Sequence, residues 1–208
     1  NITNFPTNDL TVNGYLDLSN TNIAELPEFL HVKKDIILRH CKNLTQLPDS
    51  LKVVNGDLDL NDSGIVELPE NLRVNGSLYL ERCENLTRLP DSLRVVNGDL
   101  NLSKSGIVKL PNNLHVKRDL FLSRTNIKEL PENLHVGRKL LLKSCKNLTR
   151  LPDSLKVING YLELSESGIA ELPENLYIKE HLYLSHTSIA ELPENLRIGG
   201  NLFLNSCK

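Results

Sequence analysis

Ten prolines occur in the 208 residues, and all of them keep one register: Pro6, Pro27, Pro48, Pro69, Pro90, Pro111, Pro131, Pro152, Pro173 and Pro193. The steps are 20 or 21 residues, and nine of the ten prolines follow a leucine. A segment that short cannot bury an apolar face alone. It must stack on copies of itself, so a fixed short period specifies a solenoid. The expectation is a single domain over residues 1–208, of about ten turns.

A second frame runs inside the first. Val12, Leu16, Leu18, Ile23, Leu26 and Leu30 return as Val32, Ile36, Leu38, Leu44, Leu47 and Leu51, and again as Val54, Leu58, Leu60, Ile65, Leu68 and Leu72. The L-x-L pair alternates as a short half-buried strand does. Like strands joined by a full turn of chain run parallel, ~4.8 Å apart. Leu-Pro fixes one dihedral and holds the residue before it extended. The return path is therefore expected to be extended or polyproline-like, with at most a short 3₁₀ turn and little or no α-helix. Asn-Gly pairs at Asn13, Asn55, Asn75, Asn97 and Asn159 mark the corner before a strand.

Just past each strand comes a row of small hydrogen-bonding residues: Thr21, Cys41, Ser63, Cys83, Ser105, Thr125, Cys145, Ser167, Thr187 and Cys207. This row is expected to satisfy backbone groups where the chain turns inward. The cysteine turns carry one extra residue before the next core aliphatic, C-K-N-L against T-N-I or S-G-I, which reads as a wider corner. The cysteines are 42 or 62 residues apart. They therefore lie two or three turns apart, ~10–15 Å at the strand spacing. A disulfide needs Cα atoms within about 7 Å, and one zinc ion needs every ligand at about 2 Å. Structural cysteines are the expectation, with Cys207 the most open to oxidation.

The net charge is −2, from 24 basic and 26 acidic residues. This balance argues against a nucleic-acid partner, and no run is long and apolar enough to insert in a membrane. The six histidines do not cluster, and His31, His115 and His135 are expected on a solvated outer corner. No metal, cofactor or catalytic group is expected. The N-L-T sequons at Asn43, Asn85 and Asn147 read as part of the repeat word.

These motifs resemble the leucine-rich repeat family, L-x-x-L-x-L-x-x-N/C-x-L, with Val12, Val32 and Val54 standing in for the leading leucine. L-P-x-x-L at a spacing of 20–21 resembles the short bacterial LPX subclass of IpaH-like and YopM-like effectors. The chain departs from that subclass in using no Asn at the polar ladder position. The resemblance implies a horseshoe or arc with a parallel β-sheet on its concave face. It also implies a non-catalytic scaffold that recognises a protein, as the target-binding region of a bacterial effector does. The competing readings are a structural or adhesin-type surface module, and the substrate arm of a larger ubiquitin-ligase-like enzyme whose catalytic domain is not among these residues. Cysteine usage fits a reducing interior, such as a host cytoplasm.

Solenoids bind through the strand residues that point away from the core. The candidate contact residues are Tyr15, Asp17, Ile37, Asp59, Tyr79, Asn101, Phe121, Arg124, Leu141, Lys143, Tyr161, Glu163, Tyr183 and Phe203. Aromatic residues and arginine are the side chains that interfaces favour. Acids cluster toward the first strands and bases toward the middle, which could orient a partner. Open sheet edges also invite a homodimer, through the ends or the concave face.

Overall fold

The computed structural model describes residues 9–207, so Pro6 lies outside the described residues. Each turn contributes two short strands. The first of each pair are β1 Asp9–Val12, β3 Phe29–Val32, β5 Val53–Val54, β7 Arg73–Val74, β9 Val95–Val96, β11 His115–Val116, β13 His135–Val136, β15 Val157–Ile158, β17 Tyr177–Ile178 and β19 Arg197–Ile198. The second are β2 Leu16–Asp17, β4 Ile36–Ile37, β6 Leu58–Asp59, β8 Leu78–Tyr79, β10 Leu100–Asn101, β12 Leu120–Phe121, β14 Leu140–Leu141, β16 Leu162–Glu163, β18 Leu182–Tyr183 and β20 Leu202–Phe203. A two-residue bend such as Asn13–Gly14 separates the two, as the Asn-Gly pairs predict.

The even-numbered strands form one continuous ten-stranded parallel sheet in sequence order. Every pairing is in register, Leu16 with Ile36 and Leu58 with Leu78 for example. The aliphatic residues flanking its central row point inward and are fully buried through the middle of the stack: Leu58, Leu60, Leu78 and Leu80 are 0% exposed. Each such leucine contributes ~1.5–3 kcal/mol on burial. Together they fix the register, because a slip of one residue would turn the apolar set outward. This is the leucine-rich repeat solenoid that the sequence motifs imply.

The return path is simpler than a helix: neither an α-helix nor a 3₁₀ helix forms among the described residues. It is an irregular stretch ending in a single turn, in which the N–H of Leu51 donates to Pro48 O at 2.9 Å and that of Leu93 to Pro90 O at 3.0 Å. Beyond it lies a feature absent from the expectation. The odd-numbered strands pair into a second ladder at the corner, made of a two-, a five- and a three-stranded piece.

The breaks in that ladder have a cause in the sequence. From one central strand residue to the next the step is 20 or 22 residues. The long steps follow Cys41, Cys83 and Cys145, and they hold two insertions each. One lies in the Cys corner; the other separates Leu51 from Val54, Leu93 from Val96 and Leu155 from Ile158, where Leu72 and Val74 are only two apart. The second insertion pushes the ladder out of register. β3 does not pair with β5, nor β13 with β15, and β7 meets β9 only at Val74 and Val96. Side chains bridge part of the gap: Asn55 Nδ2 donates to Val32 O at 3.4 Å, and Asn159 Nδ2 to Gly137 O at 3.1 Å.

The wide corner also dictates the next turn. Gly64, Gly106 and Gly168 each follow a cysteine turn. Their N–H groups donate to Cys41 O, Cys83 O and Cys145 O, all at 3.1 Å. A Cβ at these positions would overlap the carbonyl oxygens of Lys42, Glu84 and Lys146. Every wide cysteine corner with a described successor is therefore followed by Ser-Gly, because only glycine leaves room for the bulging backbone.

Candidate functional site

The residue ahead of each ladder residue takes the left-handed conformation in all ten turns, with φ between 56° and 61°. None of the ten is glycine; they include Arg82, Lys104, Arg124 and Glu166. The turn is closed by bonds such as Ser63 N–H to Leu60 O at 3.1 Å. Positive φ at its third residue is the mark of a type II turn. Here the chain leaves the sheet, and the ladder residue points inward.

The ladder works as the sequence implies, with a division of labour between oxygen and sulfur. Thr21 Oγ1, Ser105 Oγ and Thr125 Oγ1 donate to the carbonyl three residues back in their own turn, at 2.7–2.8 Å. The Cys41, Cys83 and Cys145 thiols donate instead to Leu18 O, Leu60 O and Leu122 O of the preceding turn, at 3.1–3.2 Å. The longer C–S bond reaches where a hydroxyl does not. All four cysteines are free; three are buried and Cys207 is partly exposed. Burial pushes the thiols of Cys83 and Cys145 above their usual range, so these two make poor nucleophiles.

A second polar row stands at the entry to each strand. Asp35 Oδ1 accepts the Asp57 N–H at 2.8 Å, and Asp57 Oδ1 accepts that of Ser77 at 2.7 Å. The relay continues at 3.1 Å from Ser77 to Asp99, Asp99 to Asp119 and Asp119 to Lys139. These acids bind the solenoid to itself. The glycine of the Asn-Gly corner has its reason here: a Cβ at Gly56 or Gly76 would overlap the Asp35 or Asp57 carboxylate. Where that position is arginine, it pairs with the relay, Arg118 with Asp99 at 3.6 Å and Arg138 with Asp119 at 3.8 Å.

The polar members of the central row are also engaged. Asp17 Oδ1 accepts from both the hydroxyl and the N–H of Ser19, and those bonds hold its carboxyl below the usual range. Asp59, Asn101 and Glu163 likewise accept the N–H two residues on, at 2.8–3.1 Å. Asp59 is only 3% exposed beneath Arg39, whose Nε lies 2.6 Å away. Lys143 reaches Glu166 at 3.4 Å, while Arg124 is exposed beyond the sheet.

The apolar members are free on one side. Ile37, Tyr79, Phe121, Leu141, Tyr183 and Phe203 are half-buried on the face opposite the core, and Tyr15 is exposed at the first strand. Toward the last strands the rings meet. Tyr183 stacks on Phe203 with centroids 4.5 Å apart and planes 2° from parallel. Tyr161 lies edge-on to Tyr183 at 5.8 Å, and His181 lies 6.2 Å from Tyr183 and 6.4 Å from Phe203. Lys139 Nζ sits 5.0 Å from the Tyr161 ring centre, on its face. Burial, with the charge of Asp119 nearby, pushes the Tyr161 phenol up. In-register parallel pairing produces this cluster, since it places like positions one strand spacing apart.

His31, His115 and His135 are exposed, in strands of the second ladder. The rings of His115 and His135 lie 5.3 Å apart. Among the described residues no group of three or more His, Cys, Asp and Glu side chains could hold a metal ion. No helix of the described residues is long and apolar enough to cross a membrane.

Stacked L-x-L strands, an inward polar ladder and an uninterrupted parallel sheet define the architecture as a leucine-rich repeat solenoid. Two solved structures are similar to the chain. YopM from Yersinia enterocolitica WA-314 is 22% identical, with a TM-score of 0.39, over 90% of this chain and 52% of its own. YopM from Yersinia pestis, described as a leucine-rich effector protein, is 18% identical, with a TM-score of 0.39, over 90% of this chain and 81% of its own. The chain thus spans about half the length of the first. No protein-family model and no curated protein matches the sequence.

Proposed function

We propose that the chain is a non-catalytic recognition scaffold that binds a protein partner through the open face of its ten-stranded sheet. The observation that carries this is the ring cluster of Tyr161, His181, Tyr183 and Phe203, half-buried on the sheet face opposite the core. Rings held in this way lose little freedom on binding and offer large contact area. As the LPX resemblance implies, the chain is read as the target-recognition region of a bacterial effector. Four unpaired thiols support action in a reducing compartment.

The test replaces Tyr79, Phe121, Tyr183 and Phe203 by alanine and compares capture of partners from a displayed proteome. Wild type retains a defined set, and the quadruple variant loses it while keeping its circular dichroism spectrum. Partners held equally by both proteins would place recognition away from this face.

A further inference from the structure

The three wide steps, where the second ladder is broken twice and thinned once, lie away from the open face and carry their own chemistry. Each is built by nearly the same words: "DSLKVVNG" from Asp49, "DSLRVVNG" from Asp91 and "DSLKVING" from Asp153. The valine just after the extra residue of each, Val53, Val95 and Val157, is 46%, 41% and 46% exposed. At the equivalent place the other turns carry Thr11, His31, Arg73, His115, His135 and Arg197, with Tyr177 the one other apolar residue. At this position an exposed aliphatic side chain thus occurs at the wide steps and not at the narrow ones.

At the first break the opening is a groove of about 500 Å³, floored by Leu30, Val32, Leu51 and Val53. At the thinned step between β7 and β9 there is a groove of about 300 Å³, lined by Leu72, Val74, Leu93 and Val95. Lys33 and Lys52 line the first, and Arg73 and Arg94 the second. Neither groove is lined by a carboxylate, in a chain with 26 acidic residues. The break between β13 and β15 places Lys156 beside Val157 in the same words.

We infer that these two grooves, together with the break at Val157, form a second docking surface, for an extended acidic peptide with apolar anchors. The apolar floor with basic walls selects that occupant by charge complementarity. The first two openings are two turns apart, ~10 Å at the strand spacing. In a polyproline-like segment, residues three apart lie on one side and ~9 Å from each other. Leu-x-x-Leu therefore spans both, and a third anchor four or five residues further on reaches Val157.

The probe is a fluorescein-labelled synthetic peptide with leucines at that spacing and glutamate and proline between them. Its binding is read by anisotropy. Binding should weaken about tenfold with lysine in place of every glutamate, and as much in the Val53→Asp, Val95→Asp, Val157→Asp triple variant. All three positions are at the surface, and the variant's urea midpoint shows whether it folds. The quadruple alanine variant of the open face should bind the probe as wild type does, so failure here and failure of the open-face reading are separable. Equal affinity for the two peptides, or an unchanged affinity in a folded triple variant, overturns the inference. So does self-association that the triple variant abolishes, which would assign the openings to a second copy of the chain.

Discussion

The wide cysteine turns and the narrow turns present the same strand to the main sheet and differ everywhere else. Leu58 pairs with Leu78 across a narrow step and Leu78 with Leu100 across a wide one, with no change of register. The second ladder, by contrast, is broken or thinned at each wide step. The difference shows where a solenoid tolerates insertion. The sheet is fixed by core leucines on both sides of its central row, whereas the corner ladder has one buried position per turn and yields to one extra residue. The extra backbone of a wide corner must also go somewhere. It goes into the space of the next turn, which becomes Ser-Gly.

The sharpest way to break this coupling is Gly106→Ala. Its Cβ would meet the Glu84 carbonyl, which is backbone and cannot rotate away. A loss of about 3 kcal/mol is expected from overpacking. The same site class after a narrow turn, tested by Asn126→Gly, should change stability by under about 1 kcal/mol. Urea unfolding of the two variants makes the comparison; equal effects would remove the coupling.

Cys83→Ser tests the division of labour in the ladder. The shorter hydroxyl cannot keep the thiol's bond to Leu60 O, and a cost of about 1–2 kcal/mol follows in a fully buried site. In the native protein, iodoacetamide should modify Cys207 well before Cys83 or Cys145, read by mass spectrometry of tryptic peptides. Early labelling of Cys83 would mean that the wide corners open.

Up to the ladder residue the two kinds of turn should be identical, and glycine substitution sharpens that point. Arg82 precedes a wide corner and Arg124 a narrow one, both near φ 60°. Arg82→Gly and Arg124→Gly should each stabilise by about 1 kcal/mol, since the left-handed region costs an L side chain roughly that much. Unequal gains would show that the wide corner already strains its turn.

The smallest effect is electrostatic. Asp62, in a narrow turn, is held below the usual carboxylate range by Lys42 of the preceding wide corner, with His40 also bonding it. A lowered folded pKa gives stability that is full above the unfolded pKa and is lost as pH falls through the folded one. That window lies below pH ~4. Asp62→Asn should flatten the acid limb of the urea midpoint against pH; an unchanged limb would show that these contacts are worth nothing in water.

Much of this was legible in the sequence. Ten prolines and the L-x-L frame specify the stack, and the small polar row specifies the inward turn. The Asn-Gly corner was readable too, although at Gly56 and Gly76 the glycine makes room for a neighbour's carboxylate rather than for its own dihedral. The candidate face was legible only as a list of outward residues. Asp17, Asp59, Asn101 and Glu163 look like partner contacts along the chain, but each accepts the N–H two residues on. The acids of the entry row look like a charge gradient, yet they relay hydrogen bonds from turn to turn. A signal for that relay existed in the recurrence of Asp after Lys-Lys, Asn-Gly and Lys-Arg. The second insertion, between Leu51 and Val54, was equally visible and has consequences only in three dimensions.

The sequence by itself determined the repeat, the parallel sheet, the buried rows and the isolation of the cysteines, because periodicity and spacing along one chain are enough to place like residues one above another. Tertiary structure alone decided which polar residues are spent inside the stack and which side chains remain free. That outcome depends on contacts between residues twenty or more apart. It also decided where the corner ladder opens, because one residue inserted ahead of a corner strand moves that strand out of register with the turn before it.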